Sequence, residues 1–172
     1  RQALAQVRLL VLVNDVSLRA LIPGELAKGF GFFHGKPASA FGPFAVTPDE
    51  LGADWREGRA FGRLRVEVNG QVRGELRTGD DQDFSFVDIL RYATRTRGLG
   101  AGSIVGAGTV SNRDAARGVA CIVEQRTLQQ LAGQGPDALA PYLVPGDTVG
   151  LSFHTDDGRE LFGRIEQKAV AA

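Results

Sequence analysis

Asp15, Lys36 and Glu124 are the ionisable residues whose surroundings in the sequence admit chemistry. Asp15 follows the apolar run 7–13 and Asn14, so its carboxylate stands at the end of a strand and the rim of a core, where metal ligands are often found. The competing reading is that Asp15 caps the next turn through its side chain. Lys36 is a lone cation within Phe32-Phe33-His34-Gly35-Lys36-Pro37. Desolvated among glycines and aromatics, an ammonium can hold an anion or polarise a carbonyl; fully hydrated, it is an ordinary loop lysine. Glu124 ends the apolar run 119–123, either as a partly buried catalytic carboxylate or as a charge at a strand edge. His34 and His154 are the only histidines, and His154, beside the turn Asp156-Asp157-Gly158, reads as a surface residue.

Other chemistries find no support. Gly100, Gly102 and Gly106 do not fall at G-x-G-x-x-G spacing, and a helix precedes them where a dinucleotide site needs a strand. Neither a G-x-S-x-G elbow nor an H-E-x-x-H pair occurs. Twenty basic residues balance twenty acidic ones, so no overall field favours nucleic acid or an anionic membrane surface. An anionic substrate must therefore be held by local groups. The single cysteine, Cys121, lies in an apolar run and reads as a small buried thiol. With one cysteine no internal disulfide forms, which agrees with a reducing cytoplasm. No apolar stretch approaches the roughly 20 residues that span a bilayer, and the first residues do not form a signal peptide, so a soluble cytoplasmic protein is expected.

These residues need elements to position them. The 172 residues fit one domain, 1–172. Run 7–13, apolar apart from Arg8, reads as a buried strand with helix the alternative, and 16–42, rich in Gly, Pro and Phe, as a long ordered loop with short helical turns. A short strand at 44–47 and a turn at 48–51 follow. Residues 63–68 and 71–76 alternate polar and apolar around Asn69-Gly70, which predicts a hairpin. Ser85 and Asp88 predict a capping box for a helix through Arg95. Further strands are expected at 103–105, 119–124, 148–154 and 160–167, with a helical turn or two at 127–132. Strands joined by hairpins outnumber helices, which predicts a β-rich α+β fold. The sequence has no methionine, and Arg1-Gln2-Ala3-Leu4-Ala5-Gln6 reads as the tail of a helix already under way, so a fragment lacking its N-terminal segment is expected.

Four segments occur in a telling order: Val13-Asn14-Asp15-Val16-Ser17-Leu18-Arg19, Gly35-Lys36, Gly42-Pro43-Phe44-Ala45-Val46-Thr47 and Gly106-Ala107-Gly108-Thr109-Val110-Ser111. They resemble the N-D-x-S-x-R, G-K, G-P-x-x-x-T and T-G-T-x-S segments of the fumarylacetoacetate hydrolase family, and the likeness runs along most of the chain. The resemblance implies a roll of stacked mixed β-sheets with short helices, a homodimer and a divalent cation, magnesium first, with calcium or manganese as alternatives. It implies Asp15 as a metal ligand and Lys36 as the catalytic group that holds the substrate's developing negative charge. Thr109 would lie against a substrate carboxylate or carbonyl. Glu124 would orient the histidine of a catalytic His–Glu pair, and Arg19 would be a supporting group. Together these imply hydrolysis of a carbon–carbon bond in a small diketo acid such as fumarylacetoacetate or an acylpyruvate, within aromatic catabolism.

Two departures accompany the likeness. The family's E-x-E glutamates and its catalytic histidine stand upstream of N-D, and neither is present before Asp15. Ala20 and Ile22 replace an acidic residue and a glutamine near substrate. Decarboxylation of an oxaloacetate-like acid is the alternative on the same scaffold, and a binding module without catalysis is an alternative of another class.

Overall fold

The computed structural model describes residues 3–171; Arg1 and Gln2, at the start of the expected helix tail, lie outside the described residues. Chain reversal at Asn69 and Gly70, with φ of 53° and 73°, joins strand β5 (Gly62–Val68) to β6 (Gln71–Thr78). Such turns match the right-handed twist of paired strands. Strand β7 (Thr148–His154) pairs with the other edge of β5, and β8 (Ile165–Lys168) with β7, giving an antiparallel sheet of order β6-β5-β7-β8. A smaller sheet pairs β1 (Leu10–Asn14) with β2 (Ala40–Val46). A minimal ribbon pairs β3 (Trp55–Arg56) with β4 (Arg59–Ala60).

Alternation along the strands decides how the sheets stack. Leu64, Val66, Leu76, Leu151 and Ile165 are buried together, and Leu12, Ala40, Val110 and Ala120 pack onto them. Leu10, Leu51, Phe153 and Phe162 form a second cluster, with Val7, Leu12, Val46, Trp55 and Ala60 around it. Leu12 touches both, so the small sheet lies over the large one. The seam between them is tight: the Phe44 N–H donates to the Phe162 carbonyl at 3.1 Å. A Cβ on Gly42 would sit 2.6 Å from that oxygen, which leaves room for glycine alone.

The opposite face of the large sheet is charged. Arg65 pairs with Glu67 and Glu75, and Arg164 with Glu67 and Glu166. Gly150 makes space for Arg164, whose Nη2 stands 2.2 Å from where a Cβ would be. Hydrogen bonds from Arg164 and then Arg65 hold the Glu67 carboxyl below its ordinary range. An apolar inner and a polar outer face is what a half-exposed antiparallel sheet requires.

Three α-helices complete the fold among the described residues. In α1 (Ile22–Ala27), Ile22 is the buried anchor. In α2 (Phe86–Ala93), the expected capping box is present, the Ser85 N–H donating to Asp88 Oδ2 at 3.0 Å and the Asp88 N–H to Ser85 Oγ at 3.3 Å. The third, α3 (Ile122–Leu131), corrects the expected strand at 119–124. Within 119–124 only Val119 bonds like a strand, donating to the Arg73 carbonyl, before the extended Cys121 leads the chain into a helix. Strong helix formers at Glu124 to Arg126 and Leu128 to Leu131 outweigh β-branched Ile122 and Val123. Cys121 is consequently half-buried, not buried. Residues 103–105 form no strand, and strand β8 begins only at Ile165, after Gly163 turns at φ 69° against Pro43. His154 is half-buried within β7, not a surface residue. The result is α+β: stacked sheets with few short helices, as the sequence implied.

Leu76 is fully buried at the centre of the first cluster. Leu76→Ala should cost about 2–5 kcal/mol, from lost transfer energy and a residual cavity. Urea denaturation reads this directly, and a loss below about 1 kcal/mol would show that the cluster does not carry the fold.

Candidate active site

Asp15 emerges directly from the end of β1, which is tied to β8 by a hydrogen bond from Asn14 Nδ2 to Gln167 Oε1 at 2.6 Å. Lys36 Nζ donates to Asp15 Oδ2 at 2.8 Å and to Ser17 Oγ at 2.9 Å. Two segments far apart in sequence thus converge on one ammonium. The pair stays accessible, with the Lys36 and Asp15 side chains 31% and 60% exposed. An ion pair this open contributes only about 0–1 kcal/mol to stability.

The placement of Lys36 comes from the backbone before it. The Gly35 carbonyl accepts the Leu18 N–H at 2.9 Å. On the other side, the Glu25 carboxylate of α1 accepts N–H bonds from Phe33 at 3.0 Å, His34 at 2.6 Å and Gly35 at 3.1 Å. A Cβ on Gly35 would lie 2.9 Å from both Glu25 Oε2 and Ile22 Cγ1, so glycine is what lets the carboxylate reach the loop. The Phe33 N–H, above all, lowers the Glu25 pKa from its ordinary value, with the Gly35 and His34 N–H groups adding to it against desolvation.

Glu124 sits in the first turn of α3, half-buried, and accepts a hydrogen bond from the Ser111 hydroxyl. It does not end a strand. Thr109 is exposed, two residues before Ser111. Between and after them, Val110 packs into the first cluster. Asn112 grips the end of β6, accepting the Arg77 N–H at 2.8 Å and donating to the Arg77 carbonyl at 3.0 Å. Arg19 is exposed. Among the described residues no hydrogen bond or ion pair links the Asp15–Lys36 pair with the Ser111–Glu124 pair. Two surface clefts of about 360 Å³ each are lined by none of these residues.

The donor set bears on a metal. Asp15 offers an exposed carboxylate, engaged by Lys36 through Oδ2 alone, so it fits as one ligand of a hard cation. Such a cation takes several oxygen ligands, and no group of three or more His, Cys, Asp or Glu side chains able to hold a metal ion occurs among the described residues. Asp15 is a ligand candidate, not a complete site.

The family description "Fumarylacetoacetate (FAA) hydrolase C-terminal" matches residues 1–170. The chain belongs to this fumarylacetoacetate hydrolase family. Comparison with curated proteins gives no match. Fumarylacetoacetate hydrolase membership points to an enzyme of the hydrolase or decarboxylase type, and members commonly use a divalent metal. No helix among the described residues is long and apolar enough to cross a membrane.

Sequence reasoning brought out Asp15 and Lys36, which do meet, but missed Glu25. Its only signal was an acidic residue in a short amphipathic turn ten positions before Gly35, too common a pattern to single out.

The depressed Glu25 pKa gives a pH dependence with a definite sign. The carboxylate's contribution to stability is full above the ordinary value of 4.5 and is lost as pH falls through the lower folded value. Glu25→Gln should melt below the parent protein at neutral pH, and the gap should narrow in acid. A gap independent of pH in thermal melts would mean that the ionised carboxylate contributes nothing.

Proposed function

We propose that this member of the fumarylacetoacetate hydrolase family hydrolyses a carbon–carbon bond in a small diketo acid, such as fumarylacetoacetate or an acylpyruvate. The observation that carries the reading is the convergence of Asp15, Ser17 and Lys36, from two of the family-like segments, on one accessible cluster. In this reaction water adds to a carbonyl carbon and the adjacent carbon–carbon bond breaks. One fragment leaves as a carboxylic acid, and the other as an enolate that takes up a proton. Negative charge therefore grows on an oxygen of the departing fragment.

Lys36 is the group we assign to that charge. Its ammonium is held by Asp15 and Ser17 before substrate arrives, so little reorganisation is needed when charge develops. Glu124, fixed by Ser111, is assigned to orient the histidine of a water-activating His–Glu pair, and Thr109 to contact a substrate carboxylate or carbonyl. Asp15 is assigned as one oxygen ligand of a divalent cation, magnesium in preference to manganese or calcium. When bound, the ion supplies Lewis acidity to the diketo oxygens. A cytoplasmic location agrees with the single half-buried thiol. A homodimer agrees with the exposed aromatics Phe30, Phe32 and Phe33 beside the site, 96%, 47% and 78% accessible in the single chain.

A turnover screen of the intact protein with fumarylacetoacetate, fumarylpyruvate and oxaloacetate, with and without magnesium, tests the reading. Hydrolysis of a diketo acid, lost on chelation and restored by magnesium, is expected. Release of carbon dioxide from oxaloacetate with no hydrolysis would assign the chain to decarboxylation instead. Lys36→Met should lower kcat more than it raises KM, because the interaction strengthens in the transition state; a rise in KM alone would make Lys36 a ground-state binder. Asp15→Asn should weaken magnesium binding with the fold intact, and an unchanged calorimetric titration would remove Asp15 from the ligand set.

A further inference from the structure

Glu25 is the group in the Lys36 neighbourhood that no functional assignment uses. Its three N–H bonds come from consecutive residues, Phe33, His34 and Gly35, the last being the residue before Lys36. Gly35 is held from both sides: its N–H reaches Glu25 at 3.1 Å, and its carbonyl accepts from Leu18 at 2.9 Å. Leu18 directly follows Ser17, the residue whose hydroxyl meets Lys36 Nζ. The Lys36 N–H in turn closes on the Phe33 carbonyl at 3.2 Å. The peptide before the lysine is thus fixed by Glu25 and by Leu18, and the segment of Leu18 also holds the lysine's head group through Asp15 and Ser17.

Residues 30–32 enter none of the described hydrogen bonds. Gly29 and Gly31 turn at φ of 75° and 87° with no heavy atom within 4 Å of where a Cβ would be, and Phe30 is 96% exposed. Nothing else among the described hydrogen bonds ties residues 30–34 to the body of the protein. Without the carboxylate, the segment before Lys36 would keep only the Leu18 bond and its own turn.

We propose that Glu25 is a positioning residue for Lys36: its carboxylate gathers three successive backbone N–H groups and sets the lysine where charge develops during turnover. The catalytic part rests on the reading of Lys36 given above; the structural part does not. Glu25 touches no reacting atom and acts through the loop. The glycine before the lysine follows from the same contact, since any larger residue at Gly35 would push the carboxylate away.

The test is a double-mutant cycle in the intact protein, comparing the parent, Glu25→Gln, Lys36→Met and the double variant. Gln keeps the volume and one acceptor oxygen but turns an amide NH₂ toward backbone donors. Glu25→Gln should lower kcat about tenfold or more with little change in KM, as expected when a reacting group is misplaced by a fraction of an ångström. In the Lys36→Met background, the same change should cost nothing further. An equal loss in both backgrounds overturns the proposal, because Glu25 would then act without Lys36.

A readout independent of catalysis separates this from the function itself. Acylation of Lys36 by an amine-reactive ester, followed by mass spectrometry with Lys168 as internal reference, should be faster in Glu25→Gln. Faster labelling in a protein that turns over no diketo acid would keep the positioning and reject the proposed reaction. Unchanged labelling together with unchanged kcat would reject the positioning. If Glu25→Gln does not fold, Gly35→Ala crowds the same carboxylate from the loop side and enters the cycle in its place.

Discussion

Leu12 packs into both apolar clusters at once, and that shared contact is the constraint from which the rest of the architecture follows. A two-stranded sheet has little stability alone in water. Strands β1 and β2 persist because Leu10, Leu12, Ala40 and Val46 find partners on the larger sheet. Once Leu12 is seated, the chain three residues later is at the rim of the core, and Asp15 is delivered there. The Gly42–Phe162 approach fixes the other strand of the same pair. The Asp15 side of the site inherits its position from apolar packing, whereas the exposed Asp15–Lys36 pair contributes little stability of its own.

Much of this was legible in the sequence where local and tertiary forces agree. Asn69-Gly70 specifies a turn that the strands on either side also need. Ser85 and Asp88 cap a helix whose capping bonds are all local. The rim position of Asp15 followed from an apolar run ending in polar residues. The reading failed where the two kinds of force diverge. Residues 119–123 look like a strand because their side chains are apolar, yet Ala120 satisfies that apolarity by packing while Ile122 and Val123 enter a helix favoured by Glu124 and the residues after it. Assigning strand to 119–124 therefore misplaced Glu124 as well, from a strand end to a helix start. Glu25 was invisible for another reason: its partners are backbone N–H groups, which leave no trace in residue types except the glycine that admits them.

Charge shows the same economy. The chain is neutral overall, and the outer face of the large sheet accounts for several of its charges in pairs built around Arg65 and Arg164. These groups are occupied with one another. Lys36 shares its ammonium between the Asp15 carboxylate and the Ser17 hydroxyl, and the pair stays accessible enough for a ligand oxygen to compete for it. What distinguishes the two sets is place: the Arg65 and Arg164 pairs lie on the outer face of the large sheet, whereas Asp15 and Lys36 join two segments at the end of β1.

The tip at residues 29–32 and the stem at residues 33–36 have different freedoms. The stem is fixed by Glu25 and Leu18, while the tip, with Gly29 and Gly31 in open space, bears no load from the core. Lengthening the tip or exchanging its aromatics leaves the stem's attachments untouched. The segment is therefore a mutable fringe on an immobile root: what lies beside Lys36 can change while the placement of Lys36 does not.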